Sequence, residues 1–369
     1  MASPGAAAAP RPQFPGLALG ALGVLVLGAG VRMLPDPALA WVLGMGLLLG
    51  AAFVLLDFGF TAGFRSFWVE RDGRALAASC IVPAVAALVI VPVGTNGAEY
   101  GRLVAPIGVS LVLGAALFGV GMQLSNGCGS GTLVAAGQGS RRMWVTLPFF
   151  CVGGVLGGLV FPALSRVPGL GVIDLPGLLG PWGGLAATEA LLALVALLLL
   201  RGRRPPSGRL AAGAVIGALA ALYFLVSGEP WGITMAMTVW AAKALQALGI
   251  DLAATEFWSS GWTAELLASP LLSMHATVSN LAIVLGALLA SAAQGRLRHR
   301  TPLGAAGALG AALGGLCMGV GARLSFGCNV GAFLGGAASG SVHGVVWLFA
   351  ALPGSWLGLR ARPWFGLQR

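Results

Sequence analysis

Two cysteines lie at the centre of a repeated sequence frame. Residues 113–131 read LGAALFGVGMQLSNGCGSG and residues 313–331 read LGGLCMGVGARLSFGCNVG, so Cys128 and Cys328 hold equivalent positions. Eight of the thirteen positions from 119 to 131 are identical 200 residues later. A helix starting at each cysteine presents free N–H groups and the positive end of its dipole, where a thiol is polarised as a donor. Two such helix starts favour a small, polarisable anion, and we predict an anion path along these thiols.

The other residues of the frame are predicted to shape the turn before each cysteine. Gly127 and Gly327 allow a turn that a side chain would block. Ser125 and Ser325 either line the path with their hydroxyl groups or bond only to the backbone of their own helices. The sequence favours neither alternative for the serines, and the same two alternatives stay open for Thr61 and Thr234.

A weaker pair of segments precedes the two copies of the frame. Gly59 and Thr61 stand in a Gly-Phe-Thr segment, and Gly232 and Thr234 stand in a Gly-Ile-Thr segment. In both segments a tryptophan follows within seven residues of the threonine. We therefore predict that each half carries a Gly-x-Thr half-helix beside the path and then a Gly-Cys half-helix.

The remaining cysteines, Cys80, Cys151 and Cys317, have no repeated frame and are interpreted as packing residues. No histidine or carboxylate lies within several residues of Cys128 or Cys328. A zinc site there is therefore unfavourable, and a soft monovalent metal is the metal alternative that stays open. A disulfide between the two is not expected, because five cysteines are an odd number and both lie at membrane depth. We predict no cofactor.

The composition indicates a membrane protein. Of 369 residues, 57% are hydrophobic and 9% are charged, against roughly 25% charged residues in an average soluble domain. The net charge of +10 comes almost entirely from arginines in short clusters between apolar runs. These features exclude a soluble enzyme and a disordered chain, and without a basic face they exclude nucleic acid as a partner. The lipid bilayer is the expected surrounding.

Ten apolar segments come close to or exceed the length that spans about 30 Å of hydrocarbon: 16–31, 40–56, 77–93, 103–124, 145–164, 184–200, 210–226, 270–292, 303–324 and 342–357. Four shorter segments are interpreted as re-entrant half-helices: 59–68, 128–137, 232–248 and 328–337. The first run is interpreted as a span and not a cleaved secretory signal, because Arg32 and Asp36 follow it before the small residues 38–40. The predicted fold class is an all-α polytopic membrane protein.

The arginine distribution predicts the orientation, since cytoplasmic loops carry an excess of basic residues. The clusters are Arg65, Arg71 and Arg74; Arg141 and Arg142; Arg201, Arg203, Arg204 and Arg209; Arg296, Arg298 and Arg300; and Arg360, Arg362 and Arg369. Ten spans with both termini in the cytoplasm place every cluster inside. Five spans per half, an odd number, then predict that residues 1–183 and 184–369 are inverted repeats, with the arginine-rich loop 201–209 in the cytoplasm.

Cys128 and Cys328 in their doubled Ser-x-Gly-Cys frame, together with GEPWGITMAMTVWAAKALQALG at 228–249, resemble the YeeE/YedE family of sulfur transporters. The resemblance covers residues 59–357. It implies uptake of thiosulfate or a related sulfur anion through the bacterial inner membrane, by an hourglass-shaped protein whose cysteines pass the anion through S–H···S hydrogen bonds. It also implies that Gly59 replaces a third cysteine of the family, and that a cytoplasmic TusA-like sulfur carrier is a partner of some members.

Other functions stay open. A passive or gradient-driven permease fits the absence of a Walker motif from the sequence, and its substrate could be another sulfur or selenium species. A membrane-embedded sulfurtransferase or thiol oxidoreductase would use Cys128 or Cys328 as nucleophile, but neither has a base beside it in the sequence. A soft-metal channel would need more sulfur ligands, and Met122 has Ala322 as its repeat equivalent.

Overall fold

The computed structural model describes residues 11–259, 261–297 and 302–368. Residues 1–10 of the first predicted half lie outside this range, as do Arg298, Arg300 and Arg369 of the predicted cytoplasmic clusters. The described helices are α1 Phe14–Arg32, α2 Ala38–Leu55, α3 Phe60–Val69, α4 Arg74–Ser79, α5 Ile81–Asn96, α6 Val109–Ser125, α7 Gly129–Gly137, α8 Arg141–Ser165, α9 Leu175–Leu200, α10 Ser207–Ser227, α11 Thr234–Ala247, α12 Gly261–Ala268, α13 His275–Ala293, α14 Ala305–Leu324, α15 Gly336–Ala338 and α16 His343–Ala361. A π-helix, Asn329–Gly335, runs directly into α15.

Ten helical segments within the described residues are long and apolar enough to cross a membrane. This confirms the all-α polytopic fold class and the predicted number of spans. The predicted span 103–124 begins later than expected, because Pro106 cannot continue a helix and instead opens the two-residue strand β1 Pro106–Ile107, which pairs antiparallel with β2 Gly171–Val172. Helix α6 therefore starts at Val109.

The four short segments predicted as half-helices are helical in the structure. They correspond to α3, α7, α11 and the π-helix with α15, each shorter than the roughly 20 residues that a span requires. Short helices flanking a broken span are the architecture expected of re-entrant segments. Their re-entry from one face of the bilayer stays a prediction.

The centre of the protein is a group of four long helices with reciprocal packing. Helix α6 packs against α16, while α14, which carries the second copy of the frame, packs against α8. A Cβ added to Gly354 of α16 would lie 1.7 Å from the Ala116 carbonyl oxygen of α6, and one added to Gly153 of α8 would lie 2.5 Å from the Leu316 oxygen of α14. Ala116 and Leu316 are 200 positions apart and the two glycines are 201 apart, so glycines at closely corresponding positions make similar backbone contacts.

The two frame helices also contact each other reciprocally. A Cβ on Gly121 would lie 2.5 Å from the Gly314 oxygen, and a Cβ on Gly321 would lie 2.5 Å from the Gly114 oxygen. Gly121 corresponds to Gly321, and Gly114 corresponds to Gly314, so each contact is the counterpart of the other with the two helices exchanged. Such close backbone approach through small residues is how helices associate where lipid removes the hydrophobic driving force. A two-fold relation between the halves predicts this exchange of partners.

Candidate functional site

Each frame helix ends in a left-handed residue before its glycine. Asn126 after α6 has φ 65° and Phe326 after α14 has φ 61°, which reverses the chain direction as left-handed helix caps do. Gly327 then has φ 147°, and a Cβ there would lie 2.5 Å from the Ala332 nitrogen. The predicted need for glycine is therefore strict at Gly327. At Gly127 it is weaker, since a Cβ would meet the end of a flexible methionine side chain at 3.0 Å.

The two serines of the frame bond to backbone within the turn. Ser125 Oγ donates to the carbonyl four residues before it at 2.8 Å or two residues after it at 3.1 Å. Ser325 Oγ donates to the equivalent carbonyls, of Gly321 at 2.7 Å or of Gly327 at 3.2 Å, and it accepts from Trp347 Nε1 at 2.9 Å. Both serines thus form the backbone bonds of the second alternative, and their position on the path stays a prediction. Their hydroxyl groups hold the turn in place.

The two cysteines lie at neighbouring helix starts. Cys128 caps α7 and Cys328 caps the π-helix, and both are buried. The Val330 N–H donates to Cys328 Sγ at 3.4 Å, while Cys128 Sγ lies 3.5 Å from Ser130 Oγ. A Cβ added to Gly129, the residue after Cys128, would stand 3.0 Å from Cys328 Sγ. The structure thus brings the second thiol against the first residue of the opposite short helix.

A cavity of about 810 Å³, here called the Thr61 cavity, reaches the first cysteine. Gly59, Thr61, Gly127 and Cys128 are among its lining residues. Gly59 is extended and has nothing within 4 Å of an added Cβ. A side chain at position 59 would therefore begin in open space, and Gly59 and Cys128 line the same cavity.

A second cavity, of about 630 Å³ and here called the Trp231 cavity, is lined by the other Gly-x-Thr segment. Its lining includes Trp231, Gly232, Thr234 and Gly331. Thr234 Cγ2 lies 3.9 Å from the position of a Cβ on Gly129. The residues between the two cavities are thus those at which the short helices meet, and each cavity contains the Gly-x-Thr segment of one half.

Basic residues from the predicted cytoplasmic clusters line the Thr61 cavity. Arg65, Arg74 and Arg209 are among its lining residues, and Arg74 pairs with Asp72 at 2.7 Å. Hydrogen bonds from the Arg74 side chain and backbone lower the pKa of the Asp72 carboxyl to about 2, so this pair stays ionised at neutral pH. Asp57, Glu70 and Asp72 line the same cavity, so its three arginines are matched by three carboxylates and the formal charge of the lining is zero.

Sequence reasoning missed two polar residues at the breaks, Arg323 and Asn329. Arg323 is only 9% exposed and lines the Trp231 cavity. Asn329 follows Cys328 and is fully buried, and among the described residues neither polar atom of its side chain has a hydrogen-bond partner. Both occupy positions where the two copies of the frame differ, Gln123 and Gly129 being their equivalents. A charge inside an apolar span is a signal for function, and it could have identified Arg323.

Comparison with known proteins agrees with the resemblance. The chain is 31% identical over 144 residues to "Probable transporter YedE" of Escherichia coli K12, a match covering 39% of this chain and 35% of that protein. It is 26% identical over 319 residues to "Thiosulfate transporter TsuA" of Spirochaeta thermophila, covering 79% of this chain and 90% of that protein. The chain thus spans about a third of the YedE proteins it matches and most of the Spirochaeta protein. The Sulphur transport family matches residues 57–357, from the end of α2 to α16, and the chain belongs to this family.

Proposed function

We propose that this protein carries thiosulfate, or a related small sulfur-containing anion, inward across the bacterial inner membrane. The observation that carries the proposal is a pair of cavities, one lined by Cys128 and the other by Thr234 and Gly331, that approach the contact between Gly129 and Cys328, here called the gap. A transporter of the family needs access to one central site from both sides of the membrane. The name of the Spirochaeta relative supports thiosulfate as the anion.

The path begins with electrostatic attraction. The N-terminus of α7 presents free N–H groups next to Cys128, and the π-helix continuing into α15 does the same next to Cys328. Peptide dipoles aligned in this way favour an anion at the gap between them. A dry gap strengthens that attraction, because the effective dielectric is lower there than in water.

The thiols supply selectivity for sulfur. At Cys328 the sulfur already accepts the Val330 N–H, which leaves the S–H proton free to be donated to an incoming anion. The terminal sulfur of thiosulfate is a soft acceptor that matches a thiol donor better than an oxygen does. We propose that the anion passes from Cys328 to Cys128 by exchange of such hydrogen bonds, with no covalent bond formed.

The segment at Gly59 and Thr61 replaces the third thiol that the resemblance implies. Thr61 and the N–H groups at the start of α3 border the Thr61 cavity beside Cys128. These are hard donors that hold the oxygens of an anion. In this chain they receive the anion on its way out of the gap, and Gly232 and Thr234 hold the equivalent position on the entry side.

The architecture proposed for this transport is an hourglass of two inverted repeats, residues 1–183 and 184–369. The exchange of glycine partners between α6 and α14 supports a two-fold relation between the halves. The arginines around the Thr61 cavity support a cytoplasmic position for that cavity and for both termini. A TusA-like sulfur carrier is the partner proposed to meet the arginine-rich side. Reporter fusions at each terminus would test this orientation.

Radiolabelled thiosulfate uptake into proteoliposomes tests the proposal. Wild-type protein should accumulate label faster than empty vesicles, and excess unlabelled thiosulfate should compete more strongly than excess sulfate. Equal uptake by empty and protein-containing vesicles would overturn the proposal. In detergent solution, sulfane-sulfur transfer from thiosulfate to cyanide, with vesicle uptake absent, would instead establish the sulfurtransferase alternative.

A further inference from the structure

Arg323 is a buried cation inside the second frame helix. It lies in the last turn of α14, two residues before the serine of the Ser-x-Gly-Cys frame. Its side chain lines the Trp231 cavity, which extends to Gly331 on the short helix that Cys328 opens. A charge held this far from water is expensive unless something compensates it.

The surrounding residues leave the guanidinium without a counter-ion. Within the described part of the chain Arg323 makes no salt bridge, and its Nε has no hydrogen-bond partner. Its Nη1 contacts the Met235 thioether, and the guanidinium carbon lies 5.5 Å from the centre of the Phe257 ring. A thioether is a weak acceptor, and a ring face compensates only part of the charge.

Among the described residues, the acidic side chains of the same cavity form no ion pair with Arg323. Glu229 and Glu265 also line the Trp231 cavity, but both are exposed. The other arginine of the lining, Arg102, already holds Asp174 through both of its terminal nitrogens at 2.6 and 2.8 Å. Of the two arginines that the described residues contribute to this lining, Arg323 is the one whose donors are not bonded to a carboxylate.

An arginine at the end of a helix ordinarily donates hydrogen bonds to free carbonyl groups of the last turn. Arginines do this at the end of α6, the frame helix of the first copy. Arg362 donates to the Gln123 carbonyl at 2.9 Å, and Arg142 donates to the Leu124 carbonyl at 3.0 Å, at the end of α6. Among the described residues, the Arg323 side chain forms no such bond to a carbonyl. Favourable interaction with the dipole of α14 remains, but it does not account for the unpaired nitrogen.

We propose that Arg323 is an anion-binding residue of the Trp231 cavity, where its guanidinium holds the oxygens of the transported oxyanion before the anion reaches the thiols. The planar fork of donors matches two oxygens of a sulfonate-type group. Binding through the oxygens leaves the terminal sulfur of thiosulfate free to turn towards Cys328. The inference rests on the proposed function only for the identity of the anion.

The test compares purified variants in lipid nanodiscs. The dissociation constant for sodium thiosulfate and the unfolding temperature with and without it are measured for wild type, Arg323→Gln and Arg323→Lys, with sodium sulfate and sodium chloride at matched ionic strength as comparison anions. Arg323→Gln installs the residue that the first copy has at this position. The control Arg360→Gln removes the same charge from an exposed side chain that lies over the Trp356 ring, outside the linings of both cavities.

Arg323→Gln should raise the dissociation constant for thiosulfate by about tenfold or more, since a hydrogen bond to a charged group is lost. Arg323→Lys keeps the charge and loses the planar pair of donors, so its dissociation constant should lie between those of wild type and Arg323→Gln. The control should have the dissociation constant of wild type. Without anion, Arg323→Gln should unfold at the same temperature as wild type or higher, because an uncompensated buried charge is removed. A purely structural arginine would instead lower that temperature and leave the dissociation constant unchanged.

The possible failures separate the two proposals. If Arg323→Gln binds thiosulfate as tightly as wild type, the role of Arg323 is overturned while thiosulfate transport stands. If wild type ignores thiosulfate but binds sulfate through Arg323, the anion site stands and the proposed substrate is wrong. If none of these anions binds or stabilises the wild-type protein, the inference is overturned whatever the uptake assay shows.

Discussion

Adding one methyl group at Gly129 should obstruct the gap between the short helices. An alanine Cβ there would stand 3.0 Å from Cys328 Sγ, 3.5 Å from Cys328 Cβ and 3.9 Å from Thr234 Cγ2. Optimal separations between such heavy atoms are about 3.5–4.0 Å, so the thiol must withdraw by roughly 0.5 Å. Overpacking of this kind typically costs about 1–3 kcal/mol. If this cost is added to the activation free energy for passage of the anion, each ~1.4 kcal/mol lowers the transport rate about tenfold.

The same change should leave the fold intact. Gly129 is the first residue of α7 and its backbone is helical, so alanine gains up to about 1 kcal/mol over glycine from helix propensity. That gain offsets part of the new contact. We therefore expect Gly129→Ala to reach wild-type abundance in the membrane and to unfold within a few degrees of wild type.

The assay is the initial rate of thiosulfate uptake into proteoliposomes at equal protein density. Gly129→Ala should transport about tenfold more slowly or worse. The matched control is Gly131→Ala in the same helix, whose Cβ would make an ordinary contact with Cys128 Sγ at 3.5 Å, and it should keep most of the activity. Wild-type uptake by Gly129→Ala would refute a path through this gap, and equal loss in both variants would point to disturbance of α7 as a whole.

Three further predictions concern residues around the gap. Cys128→Ala and Cys328→Ala should each abolish growth on thiosulfate as sole sulfur source at unchanged membrane abundance, because a methyl in place of a thiol costs only ~1 kcal/mol of packing. Gly59→Cys should fit and leave uptake unchanged or raise it, since its Cβ meets open space, whereas Thr61→Val should lower uptake by removing a donor. Asn329→Leu should lower uptake and leave the unfolding temperature equal or higher, because buried amide atoms without partners are destabilising.

Each of these predictions has a control or a contradicting result. Cys80→Ala, which removes a buried thiol outside the repeated frame, should grow normally on thiosulfate. Loss of protein from the membrane in both frame-cysteine variants would favour a packing role for the thiols. Full activity of Thr61→Val together with inactivity of Gly59→Cys would exclude α3 from the path, and a marked fall in the unfolding temperature of Asn329→Leu would show that its amide is satisfied in the folded protein.

The number of spans and the family could be predicted because both depend on local sequence. Apolar length identifies a membrane helix wherever it packs, and the duplicated Ser-x-Gly-Cys frame is visible without any tertiary contact. The short helices were also predictable, since glycine and proline interrupt apolar runs. The bounds of several helices differed from those predicted, as at α6, where a strand pair lies within the first residues of the predicted span, and at α16, which ends at Ala361 and not at 357.

Hydrogen-bond partners at the site could not be predicted, because they depend on which atoms face each other after folding. Ser125 and Ser325 were equally compatible with lining the path, and only the structure shows their bonds to backbone. The packing of Gly354 on Ala116 is likewise not apparent from the sequence, since its counterpart at Gly153 lies outside the recognised frame. The same limit applies to Arg323. The sequence shows that the residue is an arginine, but only the structure shows that none of the described residues forms a salt bridge with it.

The two copies of the frame share their turns and thiols but differ in polarity. Arg323 and Asn329 of the second copy stand where the first has Gln123 and Gly129. With the proposed role of Arg323, which lines the Trp231 cavity, we expect the two cavities to differ in affinity for an anion. Unequal affinity alone cannot drive net transport, because a passive path lets the anion equilibrate at the same chemical potential on both sides. Net import therefore needs a gradient, or a cytoplasmic reaction that consumes the anion as it leaves the Thr61 cavity. A sulfur carrier meeting the arginine-rich side would provide such a reaction, so uptake into vesicles should stop at equilibrium, whereas uptake into cells should continue with sulfur assimilation.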